Sequence, residues 1–248
     1  MVPVKVRLDK LLVERRLAST RERAQALILA GRVLVNEQKM DKPGHSVAED
    51  ATIRLLGNDL RYVSRGGLKL EAAIAHWNID LNGRFCLDVG ASTGGFSDCM
   101  LQHGAARVLA IDTGYGQIAQ KLRSDPRVEL MERTNARHLT PGGLPQDIRF
   151  LAMDVSFISA TLVLPAVVAA AAGLTELVVL VKPQFEAGRE HVGKGGIVRD
   201  PEAHALAVER VRACIEALCG QGIEVMDSPI PGAEGNKEFL LHAQFAMK

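Results

Sequence analysis

The chain lacks the features that would signal metal chemistry, oxidative cross-linking or membrane insertion. Its four cysteines, Cys86, Cys99, Cys214 and Cys219, form no C-x-x-C pair, and its seven histidines show no H-x-x-x-H spacing. Reduced thiols and no metal site are therefore expected. The N-terminus has no apolar signal core. The longest apolar stretch, LVLPAVVAAAAGL at 162–174, is too short to span a bilayer and contains Pro165, so a cytoplasmic location is expected. Internal repeats and low-complexity tracts are absent too. Two nucleotide fingerprints are missing: Ala91 occupies the middle glycine position of G-x-G-x-x-G, and Lys194 in GKGG (193–196) has no Ser or Thr after it. Nicotinamide dinucleotides and nucleoside triphosphates are disfavoured as ligands.

What is present begins with charge. Residues 1–69 hold 14 Lys/Arg against 8 Asp/Glu, whereas 70–248 hold 16 against 21. A basic front end on a mildly acidic body suits a polyanion-binding module joined to something else. In the front end, RLDKLLVERRL sets Leu8, Leu11, Leu12 and Leu17 on one helical stripe, with Arg7, Lys10 and Arg15 largely outside it. In the following STRERAQALILAGRV, Ser19 and Glu22 have capping-box spacing, Leu27 and Ile28 supply an apolar face, and Gly31 can end the helix. Arg21 and Arg23 lie in that helix's first turn, where they oppose the helix dipole unless an anion such as phosphate offsets the cost. VLVNEQKM and ATIRLL read as short strands around the turn-rich DKPGHS.

The motifs RLDKLL, STRERAQALILAGRVLVN and KPGHSV together resemble the S-four RNA-binding domain, named for a ribosomal protein. The resemblance implies recognition of structured RNA through Arg7, Lys10, Arg21, Arg23 and Arg32. Glu37 departs from the family, which has glycine there, and this alters a turn. The domain is placed at 1–59 and an interdomain linker at 60–67, within the hinge-like GNDLRYVSRGG (57–67). Arg61 and Arg65 add phosphate-capable groups in this linker.

From LKLEAAIAHW onward, strands and helices alternate. RFCLDVG (84–90), RVLAID (107–112), VEL (128–130), RFLAMD (149–154) and ELVVLVK (176–182) are predicted strands separated by helix-length segments, the pattern of a parallel, doubly wound sheet over 68–248. NKEFLLHAQF alternates with period two and is read as an antiparallel last strand. The loop VGASTGGFSD places Gly90, Gly94 and Gly95 between a strand and a helix, where backbone amides can approach an anionic ligand. Asp112 ends the next strand at a spacing suited to accepting hydrogen bonds from both hydroxyls of a ribose. With Asp88 before it, the loop resembles the S-adenosylmethionine site of Rossmann-like methyltransferases. That resemblance implies cofactor contacts from Asp88, Gly90, Ala91, Ser92, Thr93, Gly94, Gly95, Phe96, Asp112 and Asp154.

Ligands of an open parallel sheet sit beyond the carboxyl ends of its strands. Asp154 and Lys182 end two strands there, and Glu238 joins them if the last strand runs antiparallel. Lys69, on the helix leading into the sheet, approaches from the front. Lys69, Asp154, Lys182 and Glu238 match the Lys-Asp-Lys-Glu tetrad of the FtsJ-like ribose 2′-O-methyltransferases. YVSRGGLKL, DVGASTGGF, MDVSFIS, VKPQFEAGRE, VGKGGIVRD and NKEFLL further resemble the TlyA family of ribosomal-RNA methyltransferases; Thr93, where many FtsJ-like enzymes have proline, suits that branch. The resemblance implies S-adenosylmethionine-dependent 2′-O-methylation of ribosomal RNA at a cytidine, in ribosomal subunits, by a Rossmann-like domain behind a small α+β RNA-binding domain. In that scheme Lys182, in its neutral form, takes the hydroxyl proton, while Asp154 and Glu238 orient the two lysines. Phe157 and Phe185 are read as core packing rather than as stacking platforms. A monomer is expected. Two other functions stay open at this point: a membrane-active haemolysin, a label also attached to the TlyA family, and a non-catalytic RNA-binding assembly factor.

Overall fold

The structure is a computed structural model that describes residues 5–15, 17–18, 20–56, 61–232 and 235–246. The chain forms two compact units, Met1–Arg61 and Tyr62–Lys248.

The first unit contains β1 (Lys5–Arg7), α1 (Leu8–Glu14), α2 (Arg21–Leu29), β2 (Val33–Val35), β3 (Gln38–Met40), β4 (Ser46–Ala48) and β5 (Ile53–Leu55). Leu8, Leu11 and Leu12 of α1 and Ala24, Leu27 and Ile28 of α2 bury the predicted stripes against Val33 and Val35. Leu17 packs on the same core from beyond the end of α1, and Arg7 belongs to β1, so the first helix is shorter than the apolar stripe suggests. Thr20, not Ser19, caps α2: its hydroxyl accepts the Arg23 N–H at 3.2 Å. Ser19 lies outside the described residues. VLVNEQKM folds as a β2–β3 hairpin, turning through Asn36 (φ 49°) and Glu37 (φ 62°). Two-residue hairpin turns of this kind need left-handed backbone at both positions, and Glu37 adopts it without the freedom of a glycine. β5 pairs with β2, and β1 with β4.

The second unit contains α3 (Gly66–Trp77), β6 (Phe85–Val89), α4 (Gly95–Gln102), β7 (Arg107–Ile111), α5 (Gln120–Arg123), β8 (Val128–Met131), β9 (Ile148–Met153), α6 (Leu164–Ala170), β10 (Glu176–Val181), α7 (Pro183–Glu186), α8 (Pro201–Ala217), β11 (Gln221–Asp227) and β12 (Phe239–Gln244). Seven strands form one sheet in the order β11-β12-β10-β9-β6-β7-β8. The five from β10 to β8 are parallel, and β12 runs antiparallel to both β10 and β11. The antiparallel final strand is thus present, but β11 lies outside it at the sheet edge. β12 is buried from Phe239 to Ala243, so its alternation does not mark a solvated face.

Alternate residues of the inner strands feed two cores. Leu87, Met153 and Val181 meet Val167 of α6 and Val211 of α8, whereas Cys86, Phe150 and Leu180 meet Leu70 of α3 and Met100 of α4. Helices therefore cover both faces, which explains the continuous apolar runs of the strands. Residues 62–67, expected to be linker, are part of this unit. Tyr62 is buried with Leu70 and Ala73, the Val63 N–H donates to Asp98 Oδ2 at 2.9 Å, and α3 begins at Gly66. After β6 the chain builds β7 and β8 on one side, then returns to lay β9 on the other. The gap beyond β6 and β9 is thus the switch point of the sheet.

Candidate active site

The loops after β6 and β9 pass close to each other at the switch point. Gly90 has φ +85°, and a Cβ there would collide with the Asp154 carbonyl, so glycine is required both for conformation and for clearance. Beside this contact lies a cavity of about 290 Å³ lined on the loop side by Gly90, Ala91, Ser92, Thr93, Gly95 and Phe96. Gly94 does not line it: with φ 93° it serves as the N-cap residue of α4. Asp88 lies at the cavity floor, fully buried. Its Oδ2 accepts the Ser97 N–H at 2.8 Å and the Ser97 hydroxyl at 2.6 Å, while Oδ1 has no partner. Burial pushes this carboxyl up to about 7, with the nearby Asp154 and Asp112 charges adding to the rise against the Ser97 bonds.

All four tetrad residues line the same cavity, as two ion pairs. Lys69 Nζ meets Glu238 Oε2 at 2.5 Å, with both residues buried. Lys182 Nζ meets Asp154 Oδ1 at 2.5 Å and donates to Ser156 Oγ at 2.7 Å. Strand register explains the convergence. Met153 is aligned with Val89, and Val181 with Phe239, so Asp154, Lys182 and Glu238 emerge at one edge. Lys69 and Glu238 are buried and Asp154 and Lys182 half-buried, which is tolerable because each has an opposite partner within contact distance.

A second cavity, of about 550 Å³, opens on the other side of Gly90 and Asp154 and includes Asp112, Asn135 and Phe157. Asp112 Oδ2 accepts the Ser92 N–H at 2.7 Å and Oδ1 the Gly114 N–H at 2.6 Å, which fixes the carboxylate and leaves further lone pairs. A third cavity, of about 320 Å³, contains Lys182, Glu238, Phe157, Phe185, Gln184 and Asn236. Phe157 does not pack in the core: it is 92% exposed. Its ring centroid lies 5.5 Å from that of Phe185. Three cavities thus meet at Asp154 and Lys182. Ser156, Asn135 and Asn236 were not singled out by sequence; each is a polar loop residue whose cavity position depends on tertiary packing.

The FtsJ-like methyltransferase profile matches residues 62–245, and the S4 domain profile matches 6–53. The 16S/23S rRNA (cytidine-2′-O)-methyltransferase TlyA of Mycobacterium tuberculosis is 44% identical, over 96% of this chain and 89% of its own length. The chain belongs to the TlyA family of FtsJ-like methyltransferases. Hemolysin A of Brachyspira hyodysenteriae is 40% identical over 96% of this chain and 99% of its own length. A Streptococcus thermophilus structure, described provisionally as a hemolysin, superposes with TM-score 0.70 at 43% identity, covering 99% of this chain and 90% of that one. Among the described residues, no helix is long and apolar enough to cross a membrane, and no group of three or more His, Cys, Asp or Glu could hold a metal ion.

The residues of this TlyA-family site fit S-adenosylmethionine. The unpartnered, buried Asp88 Oδ1 suits a cationic group, and the Gly90 loop leaves room for a ligand against backbone. Asp112 lines the larger cavity. In the first unit, Arg7 and Arg21 flank a fully buried Asp9: Arg7 Nη2 and Arg21 Nε each donate to its Oδ2 at 2.9 Å, leaving both side chains about half exposed. Asp9 supplies the offset that basic residues in the first turn of α2 require, and it holds both guanidinium groups in fixed directions. Those bonds hold the Asp9 carboxyl well below the ordinary range, despite its burial. Lys10 is exposed and Arg23 half-buried, whereas Arg32 turns its Nε to the Leu56 carbonyl at 2.9 Å. Arg61 closes the first unit; Arg65, exposed, borders the first cavity of the second.

Proposed function

We propose that this protein transfers a methyl group from S-adenosylmethionine to a ribose 2′-hydroxyl of ribosomal RNA, at a cytidine, in the cytoplasm. The observation that carries the reading is the pair of ion pairs, Lys69–Glu238 and Lys182–Asp154, facing one cavity beside the Gly90 loop. The cytidine and the ribosomal RNA follow the name of the Mycobacterium tuberculosis relative.

S-adenosylmethionine, when bound, supplies an electrophilic methyl group. Asp88, the loop amides and Asp112 would hold it, in the cavities that Asp154 also lines. A ribose hydroxyl is a weak nucleophile, so the protein must orient it in line and take its proton. Lys182 is placed for this at the junction of the cavities. It must first give up a proton of its own to solvent, while the Asp154 carboxylate at 2.5 Å holds it in position. Lys69, anchored by Glu238, keeps a positive charge beside the developing alkoxide. Arg7, Lys10, Arg21 and Arg23 engage phosphates of folded RNA, and the target nucleotide turns out of its helix to expose its ribose.

Purified small and large ribosomal subunits incubated with labelled S-adenosylmethionine test the reading. Label mapped to a ribose 2′-oxygen, and lost by at least about 10²-fold with Lys182→Ala, is expected. Absence of label on both subunits despite cofactor binding, or full transfer by Lys182→Ala, would overturn it.

A further inference from the structure

Two oxygens lie close to Lys182 Nζ, and they differ in kind. Ser156 Oγ accepts a hydrogen bond from it at 2.7 Å. Asp154 Oδ1 lies 2.5 Å from the same nitrogen but accepts no hydrogen bond there, so that contact is one of charge. A charge contact holds the nitrogen without fixing how it is turned about the Cε–Nζ bond, whereas a hydrogen bond needs an N–H along the line to its acceptor. Ser156 is itself held. It lies two residues beyond Asp154, whose N–H donates to the Val89 carbonyl at 2.9 Å. The chain then turns through Phe157 (φ +64°), and beyond the turn the buried Glu186 of α7 accepts the Ser159 hydroxyl on Oε2 at 2.5 Å and the Ala160 N–H on Oε1 at 2.6 Å. The loop that carries the Ser156 hydroxyl is thus tied down on both sides of it.

We propose that Ser156 is a positioning residue for the transfer step, setting the direction of the Lys182 lone pair. This rests on the RNA methyltransferase reading, in which neutral Lys182 takes the hydroxyl proton. A neutral amine has two N–H bonds and one lone pair to distribute over three staggered positions. One N–H goes to Ser156, and the second is drawn toward the Asp154 carboxylate, which repels a lone pair. The lone pair is left with the position that neither oxygen takes, and Lys182 lines both the first and the third cavity. Without Ser156 the amine is free to turn, and an N–H in place of the lone pair meets the ribose hydroxyl. A hydroxyl suits this task better than a second carboxylate would. It accepts the bond without adding a negative charge that keeps the third proton on the nitrogen.

Measurements of kcat and KM for ribosomal subunits, with cofactor affinity and Tm, test the assignment on the full chain. Ser156→Ala is expected to lower kcat by about tenfold, the cost of a misdirected base, with KM and cofactor affinity unchanged. Tm should not move, because Ser156 is exposed. Ser156→Thr keeps a hydroxyl acceptor and should recover most of kcat, whereas Ser156→Val, which has the shape of threonine without the hydroxyl, should not. In a Lys182→Ala background, Ser156→Ala should cost nothing further. Full kcat in both Ser156→Ala and Ser156→Val, equal losses in Ser156→Thr and Ser156→Val, or additive losses in the cycle would overturn the proposal while leaving the enzyme reading intact. So would a loss carried by KM or by cofactor affinity. A wild-type protein that transfers no methyl group to ribosomal RNA would remove both.

Discussion

β10 and β12 carry buried charge at both ends, and the two ends have been put to different uses. At the carboxyl end of β10, Lys182 and Glu238 belong to the two ion pairs that line a cavity. At the other end, Glu176 accepts from His242 Nε2 at 2.8 Å and from Arg84 Nη1 at 2.5 Å. The Trp77 ring lies flat on His242, with centroids 5.1 Å apart and planes at 20°. Burial alone would push the Glu176 carboxyl up, but the bonds from His242 and Arg84 outweigh it and hold the group below its ordinary value. Buried, paired charge is therefore not by itself the mark of a reactive centre here. Access is what separates the ends: the first pairs border open volume, and the second is closed by an indole.

That difference can be tested from both sides. Lys69→Met should reduce methyl transfer by about 10³-fold and, by leaving Glu238 buried and unpaired, destabilise the protein by about 3 kcal/mol. Adding Glu238→Gln should recover much of the stability in a denaturant titration and none of the activity. Glu176→Ala should also cost about 3 kcal/mol, because it strands His242 and Arg84, yet kcat measured well below Tm should stay within about threefold of wild type. Equal loss of activity at both ends would erase the contrast.

The pairing at the cavity was largely legible in the sequence. Asp154 and Lys182 directly follow apolar strands, so their edge is fixed once the sheet is parallel. The same logic brought Glu238 to that edge through an antiparallel strand. What stayed hidden depends on details that periodicity does not encode. β1 and β4 have three residues each, too few for a pattern, and β11 alternates weakly because it is the exposed edge. Ser19 and Thr20 are chemically equivalent as caps, and only backbone geometry chooses between them. Phe157 looks like core in sequence; a left-handed φ turns it outward. Glu186 reads as one more acid in QFEAGRE, whereas its side chain accepts the Ala160 N–H from a loop 26 residues earlier.

Two smaller effects sharpen the comparison further. With Asp88 raised to about 7 in the folded protein and ionising near pH 4 when unfolded, the native state holds an extra proton between those values. Asp88 therefore lowers stability as pH rises through that window. Asp88→Asn should raise Tm at pH 8, leave it nearly unchanged at pH 4, and weaken S-adenosylmethionine binding in calorimetry. In the first unit, Glu37→Gly exchanges a left-handed glutamate and its exposed Arg54 pair for a residue suited to the turn. A rise in the Tm of that unit of about 2–4 °C is expected, with cofactor affinity unaltered.

The bond between Lys69 and Glu238 joins residues 169 positions apart. During synthesis, α3 and most of the parallel sheet leave the ribosome well before β12 does. Until then β10 has an open edge and Lys69 has no counter-charge, so the nascent chain has cofactor-loop residues but no complete tetrad. The strand that covers the β10 edge also brings Glu238 to Lys69. The Lys69–Glu238 pair therefore forms only once the last strand has docked.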